Sequence, residues 1–168
     1  MSLPETSAAP TEEDVRAWLD RVPDPEIPIL SVNDLGIVRH IRVAGGRVTV
    51  SVTPTYIGCP ATEVIEGMIE RELRRRGIEE VEIERLLSPP WTTDWLSDAA
   101  RSKLTKYGIA PPASGAGKRG FTGLGVEIHC PRCASRDTVR VSEFGSTPCK
   151  ASFRCNECLE PFEYFKCI

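Results

Sequence analysis

Seven cysteines in a chain of 168 residues are the groups through which this sequence could do chemistry. Four of them form two C-x-x-C pairs, Cys130-Pro131-Arg132-Cys133 and Cys155-Asn156-Glu157-Cys158. Two intervening residues let one tight turn aim both sulfurs at a single ion. Two such pairs make an all-thiolate tetrahedral shell, the usual donor set of structural zinc. The 21 residues between the pairs fit an excursion of two short strands, expected at Thr138 to Phe144 and Ala151 to Arg154. So small a module buries too little apolar surface to fold unaided, and the ion is expected to supply much of its stability. Four cysteines also suit iron, and an unligated or disulfide-active pair is the remaining alternative. Cys149 and Cys167 are two further thiols in the same region. They fit as small buried hydrophobes, as a second thiol pair, or as competitors for the metal. His129 adjoins the first pair and reads as a surface neighbour rather than a ligand.

Cys59 stands apart from the other six, in Thr53-Pro54-Thr55-Tyr56-Ile57-Gly58-Cys59-Pro60. Proline favours the first helical position, so Cys59 is expected to cap a helix there. The dipole at a helix N-terminus favours thiolate. Thr53, Thr55 and Tyr56 place hydroxyls in the same loop, and Asp24, Glu26 and Asp34 lie in other irregular stretches. A thiolate with carboxylates can hold iron transiently or carry a persulfide. The spacing equally suits an ordinary buried cysteine, with Asp24 and Asp34 as turn and cap residues. Only two histidines exist, and His40 falls mid-strand, so a Cys-His nucleophile is not indicated.

These residues need a scaffold, and hydrophobic periodicity outlines one. Thr11 should cap a first helix with Glu12, Glu13 and Asp14 in its first turn and Val15, Trp18, Leu19 and Val22 on its buried face. Pro23 ends it, and Asp24 to Pro28 is a loop. Ile37, Ile41 and Val43 mark one strand and Val48, Val50 and Val52 the next, joined by a Gly45-Gly46 hairpin turn. A second helix carries Ala61, Val64, Ile65, Met68, Ile69 and Leu73 and stops at Gly77. Val81, Ile83 and Leu87 suggest a third strand, reached by a crossover. A third helix, capped at Thr92 or Thr93, carries Trp95, Leu96, Ala99 and Leu104 and ends at Gly108. The expected organisation is a disordered tail at 1–11, a domain at 12–109, a linker at 110–125 and the four-cysteine ribbon at 126–168.

Composition narrows the function. Hydrophobic residues at 40% and charged residues at 27% are ordinary for a soluble globular protein. The net charge of -3 argues against a general nucleic-acid binder, and the ribbon balances six basic against six acidic residues. No stretch reaches the roughly 20 apolar residues of a membrane span. The first residues lack the basic start and apolar run of a secretory signal, so a cytoplasmic location is expected. Seven cysteines there suit metal and thiol chemistry better than disulfides. Phe144, Phe153, Phe162, Tyr164 and Phe165 exceed what a ribbon core can hold, so some should be exposed for a protein partner.

Asp24-Pro25-Glu26-Ile27-Pro28, Asp34-Leu35-Gly36-Ile37-Val38, Thr53-Pro54-Thr55-Tyr56 and Gly58-Cys59-Pro60 resemble the metal–sulfur cluster biosynthesis domain of SufT-like proteins, over about Glu12 to Leu87. Pro89-Pro90-Trp91-Thr92-Thr93-Asp94-Trp95, the stretch from Lys103 to Pro112 and the ending Glu160-Pro161-Phe162 to Cys167 look like one family, PaaD (also called PaaJ), encoded with the phenylacetyl-CoA epoxidase subunits. The resemblance implies an α+β protein: a small α/β sandwich with helices on a short mixed sheet, plus a C-terminal zinc-ribbon-like β module. It implies maturation of the epoxidase rather than epoxidation. The reductase with its iron–sulfur cluster is the favoured client and the di-iron oxygenase subunit the second. In related domains the cysteine matching Cys59 is the reactive one, and Asp24 and Thr55 also match the shared motif. The expected cofactors are structural zinc in the ribbon and a transient iron or iron–sulfur cluster. Self-association into a homodimer is compatible with the resemblance. Two other readings stay open, an inert adaptor subunit and a redox protein with iron in the ribbon. The chain lacks the long helices and Glu-x-x-His pairs of a di-iron oxygenase, and the Gly-x-Gly-x-x-Gly run at Gly115 to Gly120 falls in the glycine-rich linker rather than between an expected strand and helix, so it is no dinucleotide signature.

Overall fold

In the computed structural model, which describes residues 9–112 and 127–166, Thr11 starts the first helix as its hydroxyl predicts. Thr11 Oγ1 accepts from the Asp14 N–H at 3.1 Å, while Asp14 Oδ2 accepts from the Thr11 N–H at 2.9 Å, closing a capping box. Helix α1 (Glu12–Leu19) buries Val15 and Leu19, one turn apart. Val22 is buried from the turn beyond the helix rather than from its face.

Strands β1 (Val38–Ala44) and β2 (Arg47–Val52) pair antiparallel. Gly45 and Gly46 turn between them at φ 59° and 83°, a hairpin geometry that residues with a Cβ resist. Helix α2 (Ala61–Arg75) then crosses to β3 (Glu80–Arg85), which runs parallel to β2. The sheet order β1-β2-β3 is therefore short and mixed, as expected. Central β2 explains why one face is covered. Val48, Val50 and Val52 point into the core with Ile65, Ile69 and Leu73 of α2 and Val15 and Leu19 of α1. On the other face Thr49 and Ser51 donate to Glu82 and Glu84 of β3. Each fully buried aliphatic side chain in this core contributes about 1.5–3 kcal/mol. Leu87 lies beyond β3 and is exposed, so the third strand is shorter than its apolar pattern suggested.

The expected third helix is two elements. A single 3-10 turn at Thr93–Trp95 is capped by Thr92, and Leu96 then turns extended. Helix α3 (Asp98–Tyr107) starts afresh because Ser97 Oγ accepts from the Ala100 N–H at 3.0 Å. The later start rotates the buried face, so Ala100 and Leu104 are buried and Ala99 is exposed.

The ribbon has a four-stranded sheet of order β4-β7-β6-β5. Its strands are β4 (Ile109–Ala110), β5 (Thr138–Ser142), β6 (Lys150–Cys155) and β7 (Pro161–Phe165). Sequence reading found β5 and β6 and missed the other two. Two-residue β4 has no period to detect, and β7 begins on a proline. β4 pairs parallel with β7 and ties the ribbon to the first domain. The ribbon's own core contains Phe153, Phe162 and Tyr164. Phe165 and Cys149 instead belong to the core of the first domain, where Phe165 meets Trp91 edge-on at 6.2 Å. The aromatic surplus is thus shared between two cores, and of the five only Phe144, at 62%, is exposed. Residues 1–8 of the expected tail, 113–125 of the expected linker, and Cys167 lie outside the described residues.

Candidate functional site

The two C-x-x-C turns are built alike. Cys130 N–H donates to the Ser135 carbonyl at 2.9 Å, and Cys155 N–H to the Glu160 carbonyl at 3.0 Å. The residue after each turn, Ala134 or Leu159, sits at φ 62°. These equivalent knuckles face one another. Cys130 and Cys158 sulfurs lie 3.7 Å apart and Cys133 and Cys155 sulfurs 3.6 Å apart. All four lie within 4.8 Å of one another. A zinc–sulfur bond of about 2.3 Å in a tetrahedron sets sulfurs about 3.8 Å apart. The donors therefore fit one ion. A [4Fe–4S] cluster puts each cysteine on its own iron and a [2Fe–2S] cluster splits the four between two irons, and either spreads the sulfurs further. The Cys158 N–H donates to Cys155 Sγ at 3.5 Å and is the main reason that this thiol is pulled down to about 7. Neither Cys149 nor His129 joins this group, and His129 instead faces Glu127 at 3.9 Å.

The second constellation lies in the first domain. Asp24, Glu26, Thr55 and Cys59 all line one cleft, together with Ile37, Val52, Ile65 and Glu66. Three separate segments bring them there: the Asp24–Pro28 loop, the end of β2 with its following loop, and the start of α2. Cys59 does not cap α2. Pro60 is the N-cap, with no side-chain bond, and Cys59 stands one residue earlier, its carbonyl accepting from the Thr62 N–H at 3.1 Å. Proline here takes the cap position itself, one residue before the first turn. Cys59 is half-buried, and Ile57 beside it is 90% exposed.

The two aspartates take different roles. Asp34 Oδ2 accepts from the Ser31 N–H, Ser31 Oγ accepts from the Asp34 N–H, and Lys103 of α3 reaches the same carboxylate. Burial works against the Asp34 charge, but Lys103 and Ser31 together hold its carboxyl below the ordinary range. Asp34 is therefore a turn residue and an anchor for α3, and it stays outside the cleft. Asp24 also organises a turn, with Oδ1 accepting from the Glu26 and Ile27 N–H groups at 2.8 Å each. Burial nevertheless raises its carboxyl above the ordinary range.

The ribbon contributes two further lining residues, Cys149 and Phe165. Cys149 is 5% exposed, accepts or donates with Thr147 Oγ1 at 3.1 Å and donates to Glu26 Oε2 at 3.5 Å. Burial pushes its thiol up to about 12. Next to it, buried Lys150 pairs with Glu163 at 2.8 Å. Tyr56 adds a buried hydroxyl with no hydrogen-bond partner among the described residues. Burial first, then the nearby Cys59 thiol, raise its hydroxyl above the ordinary tyrosine range. Cys149 and Tyr56 were both visible as residue types, but no local spacing connects Cys149 to Glu26.

Two family models match separate parts of the chain. An "Iron-sulfur cluster assembly protein" model matches residues 12–84. A "PaaD zinc beta ribbon domain" model matches residues 116–166. Over 163 residues, 97% of each chain, the sequence is 48% identical to an Escherichia coli (strain K12) protein named as a candidate component of 1,2-phenylacetyl-CoA epoxidase. It is 38% identical over 96 residues, 56% of this chain and 90% of the relative, to an "Fe-S protein maturation auxiliary factor" of Porphyromonas gingivalis (strain ATCC BAA-308 / W83). The fold of the first domain is that of a solved "Domain of Unknown Function DUF59" from Bacillus anthracis. That match has a TM-score of 0.53 and 27% identity, and covers 55% of this chain and 90% of that one. Among the described residues no helix is long and apolar enough to cross a membrane.

Proposed function

The chain belongs to the PaaD family, and from that premise we propose that it assists assembly of an iron–sulfur or iron centre in a partner subunit of phenylacetyl-CoA epoxidase. The observation that carries this reading is the cleft. Asp24, Glu26, Thr55 and Cys59 converge from three segments on one cavity in the domain that matches iron–sulfur assembly proteins. A half-exposed thiol with a neighbouring carboxylate can accept and release iron or sulfur, which a delivery factor needs and a permanent cofactor site does not. The role is accessory, and epoxidation belongs to the partner. The reductase is the favoured client because its cluster is the kind of centre that the relatives of the first domain are named for. The di-iron subunit is second, and the encounter is cytoplasmic.

The decisive variant is Cys59→Ser, expressed in cells in place of the native chain with the epoxidase subunits. We expect a normal fold and at least a tenfold loss of iron and sulfide on the purified client. A fully clustered, active epoxidase would overturn the delivery role. In the ribbon, Cys130, Cys133, Cys155 and Cys158 hold zinc, which supplies a cross-link between the two knuckles. One zinc per chain and a colourless anaerobic protein are expected. Iron with a visible spectrum would move the assignment to a redox protein. An adaptor reading draws on the outer ribbon, where Val141 and Phe144 expose apolar surface. Val141→Asp should weaken capture of epoxidase subunits if that surface docks them.

A further inference from the structure

Helix α2 meets two different surroundings along its length. Its first turns lie at the Cys59 cleft, and its later turns lie beside the segment that leaves α1. Val64, Met68, Arg71 and Arg75 recur at helical spacing, so they form one stripe along the helix. Between the later part of that stripe and Arg21, Val22 and Pro23 runs a groove of about 290 Å³, lined also by Glu72. Arg21, Arg71 and Arg75 are exposed there, whereas Val22 is buried and Met68 half-buried. The groove therefore has an apolar floor and cationic walls.

We propose that this groove is a docking surface for an acidic segment of a partner protein, held by Arg21, Arg71 and Arg75. The charges around it support that occupant. Glu72 is the groove's own carboxylate, and its two oxygens accept from Arg75 at 3.2 Å and Arg76 at 3.0 Å. Neighbouring acids are engaged as well. Glu70 pairs with Arg74 at 2.8 Å, Glu66 pairs with Arg85 at 2.8 Å, and Asp20 accepts from Asn33 at 2.8 Å. Among the described residues no carboxylate pairs with Arg21 or Arg71. Arg71 Nε donates to the Gly67 carbonyl at 3.1 Å, which steadies the guanidinium without neutralising it. Three guanidiniums thus face one carboxylate, in a chain whose net charge is -3. The α2 dipole favours the cations of its last turn, Arg74 and Arg75, but Arg71 stands one turn earlier and Arg21 on another segment. The planar fork of a guanidinium matches a carboxylate. Nucleic acid is the poorer occupant. No aromatic side chain lines the groove, and a phosphate backbone would run on over an acidic protein. Arg71 lies about 15 Å along α2 from its first residue, Ala61, at the Cys59 cleft. A partner held by its acidic segment therefore keeps a neighbouring surface within reach of that cleft. The inference does not depend on what Cys59 does.

The test titrates the isotope-labelled full chain, its ribbon loaded with zinc, with a hexaglutamate peptide and follows the arginine Nε–H resonances. The Arg21, Arg71 and Arg75 signals should move and saturate. Arg42 and Arg47, already paired with glutamates on the sheet, should stay in place. High sodium chloride should weaken binding at least fivefold, because salt screens exposed charges. Arg21→Glu and Arg71→Glu should each lower the affinity at least fivefold, and the double variant should abolish binding. Lys106→Glu makes the same change in net charge at an exposed residue of α3 and should bind within twofold of the native chain. Arg21→Gln and Arg71→Gln replace the reversals if circular dichroism shows that these disturb the fold, and each should still weaken binding at least twofold. Shifts spread evenly over all arginines, native-like binding by the double variant, or no saturable binding of hexaglutamate would overturn the docking surface. Tighter binding of a single-stranded hexathymidylate than of hexaglutamate would also end it, in favour of a phosphate site. A Cys59→Ser chain should take up the peptide like the native chain, so this surface and the delivery role of Cys59 stand or fall separately.

Discussion

Three carboxylates in this protein respond to acid in opposite ways. Asp34 and Glu163 are held below the ordinary carboxylate range because, in each, burial is outweighed by a lysine and a serine together, Lys103 with Ser31 and Lys150 with Ser146. Their stabilisation is fully present above the unfolded value, about 4. It is lost as the pH falls through their lower folded values. Asp24 is raised by burial, so its ionised form costs stability at neutral pH, and that cost disappears as acid protonates it. Glu163→Gln should strip Lys150, 4% exposed, of its charged partner. The expected loss is about 1–3 kcal/mol at pH 7. The acid limb of the stability curve, from urea unfolding between pH 3 and 7, should become shallower. The ribbon cysteines were legible at this scale because C-x-x-C spacing is a local property. The acidic cleft residues were legible mainly through resemblance. Asp24 and Asp34 look equivalent in sequence, and only burial and the reach of Lys103 separate them. Tyr56 gave no signal of its own, since its orphaned hydroxyl is a matter of what surrounds it.

Elements explain where local reasoning slipped. The third helix breaks because Ser97 caps better than Thr93 continues, and a cap competes with a helix on terms that periodicity ignores. That break lets the 3-10 turn lie against Gly36. A Cβ at Gly36, where φ is +67°, would come within 2.6 Å of the Trp95 carbonyl oxygen. Gly36→Ala should therefore destabilise the chain by about 2–4 kcal/mol, from backbone strain plus overpacking, read from denaturant midpoints. The knuckles predict the opposite sign. Ala134 holds φ 62°, a left-handed conformation that suits glycine. Ala134→Gly should raise the ribbon's stability by up to about 1 kcal/mol without altering its metal content. The helices α1 and α2 and the β1–β2 hairpin followed their patterns closely, because their apolar residues recur at the helical or strand period, even in β2, where both faces are buried. Strand β7 did not announce itself, since it is five residues long and opens on a proline.

At the scale of the molecule the two family modules share a core. Phe165, 1% exposed, and Cys149 are ribbon residues packed among first-domain side chains. Loss of the ribbon ion should then be felt beyond the ribbon. Cys130→Ser, or chelation, is expected to lower the melting temperature of the whole chain in one transition. Separate melting with an unshifted first domain would show the shared core to be energetically idle. Phe165→Ala should cost about 3–5 kcal/mol and weaken the first domain although it lies outside it in sequence. Composition and motif suggest two modules but say nothing of their docking, which depends on contacts between distant residues. That shared core also orders events during synthesis. The ribosome finishes α1, the first sheet and α3 well before it reaches Cys149 and Phe165. The nascent first domain consequently waits with an unfilled apolar socket beside Trp91, an exposed greasy hole of the kind that chaperones bind. Only a chain translated through its last ribbon strand can close it.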